Sequence, residues 1–321
     1  QLGYSLSAVS KPMMAVFIFP FWIFFARALD RLGKGIRTGA RDAILSDEAT
    51  AESKGKVFGF HRSMDTLGAV LGPVIALIYL YFYPQEYKML FYIAFIPGLL
   101  AVLASFLVKD KTKTHSIEKK TTSFFSFLDY WKTSPTQYRK VVLGLLAFAL
   151  FNSSDVFLLL KAKQAGLDDT NVIGVYIFYN LVFALSAFPI GIVADKVGLR
   201  KMFIFGLSLF AIVYFGMAFS TGIYAIALLF FVYGIYAAAT EGISKAWIST
   251  ISDKKDTATA IGTYSGFQSI CALMASSLAG LIWYQFGANT TFLTAATVTL
   301  LVIIYFSFFI KDKIIKNDTP T

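Results

Sequence analysis

The residues of this sequence with chemistry to offer are the charged and amide side chains that interrupt its apolar stretches. A charge at the centre of a bilayer-spanning helix costs about 2.5–3.5 kcal/mol on insertion scales, so such groups face a protein interior or an aqueous cavity. Arg27, Asp30, Arg31, Lys34 and Arg41 are spaced i, i+3, i+4, i+7 and i+14, which is one stripe of a helix. Arg37 and Asp42 lie beside that stripe. His61, Arg62 and Asp65 come next, followed by Gly68, Gly72 and Pro73; His61, Asp65, Gly68 and Gly72 share a helix face. Asn152 and Asp155 (i, i+3) and Glu241 and Lys245 (i, i+4) interrupt two further apolar runs. Tyr176 with Asn180, and Tyr264 with Gln268, add polar i, i+4 pairs.

These types suit ion and solute handling better than bond chemistry. A desolvated carboxylate exchanges a proton near neutral pH, which makes Asp155 and Glu241 the candidates for proton coupling. Asp65 is placed to pair with Arg27 or Arg31, as structural glue or as part of a proton or substrate relay. Glu241 and Lys245 are placed to pair within their own helix. Lys34, Arg37 and Arg41 also read as a solvated helix end, whereas Arg27 lies deeper. Gly68 and Gly72 predict a close helix approach. His61 is the one histidine near a span, Cys271 is the single cysteine, and no ligand spacing recurs. No catalytic set, metal site or cofactor is expected.

The elements that position these groups are apolar helices. Of 321 residues, 57% are hydrophobic and 15% charged, too few to give a soluble domain of this size its polar surface. Runs of about 20 apolar residues, enough to span a bilayer, recur at Met89–Val108, Val141–Leu160, Val172–Ala194, Met202–Ser220, Ile223–Ala239, Gly262–Phe286 and Thr290–Ile310. With the segments near Leu2–Ile18, Phe21–Leu45 and Val57–Tyr81, ten spans are expected, four before a polar linker and six after it. The divisions are 1–108, a linker at 109–140 that carries His115 and an aromatic patch (Phe124–Trp131) expected to lie along the membrane surface, and 141–321.

The net charge of +10 raises the possibility of nucleic-acid binding. Its distribution argues otherwise. With the lysine-rich linker on the cytoplasmic side and the spans alternating from there, residues 30–56, 109–140, 196–201, 254–255 and 311–316 fall inside and hold 22 of the 29 Lys and Arg. That is the positive-inside bias, and it accounts for the charge without nucleic acid.

An internal repeat sharpens this organisation. Residues 35–47 (GIRTGARDAILSD) align with 242–253 (GISKAWISTISD), and 58–65 (FGFHRSMD) with 261–268 (IGTYSGFQ). Spans two and three then correspond to spans eight and nine. Each half is expected to have six helices, with two preceding Gln1, which already stands in an apolar run.

The most specific motif is Gly191-Ile-Val-Ala-Asp195-Lys196-Val-Gly198-Leu-Arg200-Lys201, a tight basic turn between two spans. Gly191 permits close packing, Gly198 a positive φ, and Asp195 is placed to cap or pair near the following helix start. Arg200 and Lys201 anchor the turn inside. This turn resembles the loop signature of the major facilitator superfamily, G-x-x-x-D-[RK]-x-G-x-[RK]-[RK]. Arg27-x-x-Asp30-Arg31-x-Gly33-Lys34-Gly35 is similar to that family's helix-four arginine motif, and Gly68-x-x-x-Gly72-Pro73 to its helix-five glycine–proline motif.

The resemblance implies helices three to twelve of an all-α carrier with two pseudo-symmetric six-helix bundles around a central cavity. It also implies alternating access, a small-molecule substrate, protons as coupling ion, efflux of drug-like or metabolite solutes, and a monomer in the lipid bilayer of a bacterial inner membrane. On this reading Arg27, Asp30, Arg31, His61, Arg62, Asp65, Asn152, Asp155, Glu241, Lys245 and Gln268 line the substrate and proton path. Arg27 and Arg62 favour an anionic solute unless Asp30 and Asp65 neutralise them. A non-transporting membrane receptor or scaffold is the alternative, and an integral membrane enzyme the more distant one.

Overall fold

The computed structural model describes residues 1–17, 19–50, 52–107 and 126–310, and among these the secondary structure is helical. Helix α1 (Leu2–Val16) ends where Phe17 turns extended, and α2 (Pro20–Glu48) starts on a proline, whose missing N–H would have had no helical partner there. Then come α3 (Lys54–Phe82) and α4 (Tyr87–Phe106), joined by a turn in which Gln85 takes φ 68°. A short α5 (Ser126–Thr133) precedes α6 (Thr136–Ala149), α7 (Val156–Gln164) and α8 (Asp169–Val197), the last capped by the Asp168 carboxylate on the Asn171 N–H. Helices α9 (Leu199–Phe219), α10 (Ile223–Ile251) and α11 (Thr257–Phe309) complete the order.

Six helical segments are long and apolar enough to cross a membrane: Lys54–Phe82, Tyr87–Phe106, Asp169–Val197, Leu199–Phe219, Ile223–Ile251 and Lys254–Phe309. The last is bent at Gly287 (φ 84°, ψ 171°), so its arms, 257–286 and 288–309, correspond to the two spans expected there. Their outer faces carry large apolar side chains such as Leu185, Ile212, Phe215, Leu228 and Phe308, all exposed, which only a lipid solvent accommodates.

The run Val141–Leu160, expected as one continuous helix, is broken into two, α6 and α7. Residues 150–155 interrupt it because Asn152, Ser153, Ser154 and Asp155 carry side chains that compete with helical hydrogen bonds. The aromatic patch also differs from expectation. Phe124 and Phe125 lie outside the described residues, but Tyr130 is buried edge-on against Tyr138, and Trp131 against Phe267, so α5 docks on the protein.

Two groups of helices meet. Helices α1, α2 and α4 pack together, with a Cβ on Gly33 falling 2.6 Å from the Gly3 carbonyl oxygen. The main core joins α6, α8, α9, α10 and α11 through Phe148, Phe203, Phe210, Tyr214, Phe292 and Phe306. Helix α3 lies against α8 and α10, and α2 against α11.

Candidate functional site: a charged layer between helix groups and a carboxylate among phenols

Where α3 meets α8 the backbones touch. A Cβ on Gly55 would stand 2.7 Å from both the Gly191 carbonyl oxygen and Asp195 Oδ1, and one on Gly59 would be 3.1 Å from the Gly191 Cα. Small residues permit this approach. Asp195 uses it: its carboxylate accepts the backbone N–H of Gly55 (2.6 Å) and of Lys56 (2.7 Å). Asp195 therefore caps α3, across the interface, and not the following helix α9. Asp195 still lies inside α8, on the side that meets α3, so its carboxylate reaches the free N–H groups and partial positive charge of the α3 start. Gly198 has the expected positive φ, 101°. Arg200 donates to the carbonyls of Phe306 (3.0 Å) and Ser307 (2.9 Å) near the end of α11, while Lys196 and Lys201 are exposed.

The expected close approach at Gly68 and Gly72 does not occur: a Cβ at either position meets no described atom within 4 Å, and Pro73 is half-buried. The face of α3 that packs is Gly55, Gly59, Ser63 and Thr66, with the Ser63 hydroxyl bonded to the Ala184 carbonyl of α8. Gly68 and Gly72 sit on a different face.

Above the glycine contact lies a layer of ion pairs. Asp42 on α2, only 1% exposed, accepts from Lys245 Nζ of α10 (2.6 Å) and from Arg41 Nε (3.0 Å). Arg62 on α3 holds Asp65 at 2.9 Å and also pairs with Glu241 of α10. The expected Glu241–Lys245 pair is thus replaced by two pairs across the interface. A carboxylate buried as deeply as Asp42 needs a second base beyond its neighbour Arg41, and that draws Lys245 away. Asp65 pairs with Arg62, three residues before it on the same face, and not with Arg27 or Arg31. Asp30 is taken by Lys11 of α1 at 3.2 Å. Arg27 and Arg31 are exposed and form no ion pair among the described residues. His61 is half-buried one position from Arg62.

A second cluster surrounds the break between α6 and α7. Both Asp155 oxygens accept phenol protons, one from Tyr179 of α8 and one from Tyr233 of α10 (2.6 Å). Asn152 donates from Nδ2 to Tyr236 Oη at 3.0 Å. Tyr179 and Tyr233 are each 4% exposed. Gln268 stands half-buried on α11, away from both clusters' hydrogen bonds. Sequence reasoning singled out Asp155 and Asn152 but missed Tyr179, Tyr233 and Tyr236. Their signal was there: phenols at i, i+3 (Tyr176/Tyr179, Tyr233/Tyr236) within apolar spans, where each hydroxyl needs a partner. Asp42, which the sequence places only beside a stripe, is the most buried charge of the layer. Among the described residues no group of three His, Cys, Asp or Glu is placed to hold a metal.

The comparisons with known proteins agree with this architecture. The family model described as Major Facilitator Superfamily matches residues 2–179 and 162–321. An uncharacterized MFS-type transporter of Methanocaldococcus jannaschii is 30% identical over 306 residues, covering 94% of this chain and 75% of that protein. Among solved structures, the human organic anion transporter MFSD10 (TETRAN) is similar with a TM-score of 0.80 at 16% identity, over 95% of this chain and 75% of that one. The transporter FucP in its outward conformation gives 0.76 at 13% identity, over 97% and 82%. Long lipid-facing helices and charges gathered at the contact of two helix groups define an integral membrane transporter. The chain belongs to the Major Facilitator Superfamily.

Proposed function

We propose that this protein is a secondary carrier that moves a small solute by alternating access, coupled to protons. Residues 1–108 and 141–321 contribute to two pseudo-symmetric bundles of six helices each, joined by the linker at 109–140; α6 and α7 together form one span, and ten spans fall within the chain. The positive-inside bias puts the α3 start, the 191–201 turn and the charged layer on the cytoplasmic side. Their contact then describes a carrier closed toward the cytoplasm, a reading supported by the likeness to FucP in its outward conformation. Opening inward requires the Gly55–Gly191 approach, the Asp195 cap and the Asp42–Lys245 and Arg62–Glu241 pairs to separate.

Asp155 carries the proton reading. Asp30, Asp42, Asp65 and Glu241 each meet a base, whereas Asp155 meets only phenols. An uncompensated carboxylate among helices is the one whose charge a proton can cancel without breaking an ion pair. Glu241, tied to Arg62, becomes a latch. With Arg62 neutralised by two carboxylates and Arg27 and Arg31 left unpaired on α2, the solute side favours an organic anion. The likeness to MFSD10, an organic anion transporter, supports that class. We place the protein as a monomer in a cytoplasmic membrane, bacterial by expectation, acting in efflux.

The test is flux in proteoliposomes. An imposed pH gradient should drive a radiolabelled organic anion, with proton movement read by an internal pH dye. Asp155→Asn should abolish the dependence on the gradient while leaving counterflow exchange of the anion. No flux across a broad solute panel, with folding confirmed, would remove the carrier reading; unchanged coupling in Asp155→Asn would remove the proton role.

A further inference from the structure

The break that carries Asp155 holds more acceptors than the proton reading uses. Asn152 gives an amide proton to Tyr236, but its Oδ1 is buried and accepts nothing. Tyr214 of α9, 1% exposed, has a hydroxyl that completes no hydrogen bond, although it lies near Ser153 and within the field of Asp155. The carbonyls of residues 149–153, released where α6 ends, accept no hydrogen bond among the described residues. Asn152 and Asp155 dock on Tyr236 and Tyr233, whose rings are 5.2 Å apart, so the amide and the carboxylate are brought together at the break. The phenols around Asp155 are Tyr176 and Tyr179 of α8, Tyr214 of α9, and Tyr233 and Tyr236 of α10, and Asp155 forms no ion pair among the described residues.

A lone carboxylate, an orphaned amide oxygen and free carbonyls at a helix break form an oxygen shell with one negative charge. That suits a hard monovalent cation, since a divalent ion would find too little charge. Interrupted membrane helices supply such shells through unwound carbonyls and half-helix ends. The phenol rings pack against one another at 5.2–5.5 Å between centroids, which leaves no room among them for an organic solute. Leu150, Phe151 and Ser153 of the break also line a narrow cavity against Ala279, Thr291 and Thr294 of α11.

We infer that this cluster is a sodium site, with Na⁺ held between the Asp155 carboxylate and Asn152 Oδ1 and completed by carbonyls of the break and phenol oxygens. The inference rests on the reading of Asp155 as the coupling carboxylate and adds that Na⁺ competes there with the proton.

Equilibrium binding of ²²Na⁺ to the purified full chain tests it, at constant ionic strength set with choline chloride and with KCl as competitor. The expected result is saturable binding that weakens as pH falls and is not displaced by equimolar K⁺. Asp155→Asn should abolish it, and Asn152→Ala should weaken it about 10-fold or more. Tyr214→Phe, which keeps the ring and its packing, should weaken binding in a chain that folds as before. Absence of saturable Na⁺ binding in a protein whose flux still responds to a pH gradient would overturn the sodium site and leave the proton reading standing. Binding that persists in Asp155→Asn would overturn the site as placed.

Discussion

Asp195→Asn probes the cytoplasmic closure with little change of shape. The carboxylate accepts two backbone N–H groups at 2.6 and 2.7 Å. Hydrogen bonds to a charged group contribute about 1.5–3 kcal/mol each, and a neutral one about 0.5–1.5 kcal/mol. The amide keeps one acceptor and turns its NH₂ toward a second N–H, so one bond weakens and the other becomes a repulsion. The closed state should lose roughly 2–4 kcal/mol, the difference between two charged bonds and one neutral bond. At about 1.4 kcal/mol per decade, that shifts the closed-to-open ratio by roughly 30- to 1,000-fold. Ser63 reports it: it is 8% exposed, buried against Ala184 of α8, and serine to cysteine is nearly isosteric. In a Cys271→Ser background, Ser63→Cys should react slowly with a membrane-impermeant maleimide supplied from the cytoplasmic side. Adding Asp195→Asn should raise that rate by at least about tenfold. A rate within twofold of the parent would show that the cap does not hold the closure, and the account of the 191–201 turn as a gate would fall.

Other perturbations follow from the same contacts. Gly59→Ala places a methyl 3.1 Å from the Gly191 Cα, against backbone that cannot yield; the same labelling assay should again show opening. Lys245→Met leaves Asp42 buried with only Arg41 and should lower thermal stability by about 3–5 kcal/mol, whereas the double variant Asp42→Asn/Lys245→Met should recover most of it. Equal stability of the single and double variants would deny the coupling. Gly198→Ala forces a side chain to φ 101° and should cost about 1–3 kcal/mol in unfolding experiments, visible as a lower melting temperature. Tyr233→Phe removes one of the two donors to Asp155 and should move the pH midpoint of gradient-driven flux; an unmoved midpoint would separate the phenols from the coupling step.

The sequence by itself determined the class of this protein. Apolar runs of spanning length, the bias of Lys and Arg to alternate connections, and the Gly191–Lys201 signature are local properties, written in composition and spacing. The helix break at residues 150–155 was within reach too, since Asn152, Ser153, Ser154 and Asp155 stand consecutively in one run, with no residue between Asn152 and Asp155 that favours the helix strongly enough to override them.

The tertiary structure decided which charge meets which. Periodicity places Glu241 and Lys245 four residues apart on one helix, but it cannot show that Asp42, 203 residues from Lys245, lies buried and closer in energy. In the same way Gly68 and Gly72 look like a packing motif from spacing alone, yet Gly55 and Gly59 meet Gly191, because a helix packs only on the face its neighbour occupies. Asp155 differs from Asp30, Asp42, Asp65 and Glu241 not in its local sequence but in what other helices bring to it, phenols instead of bases. Low dielectric makes such pairings strong and long-range in sequence, so they are settled only when the helices are assembled.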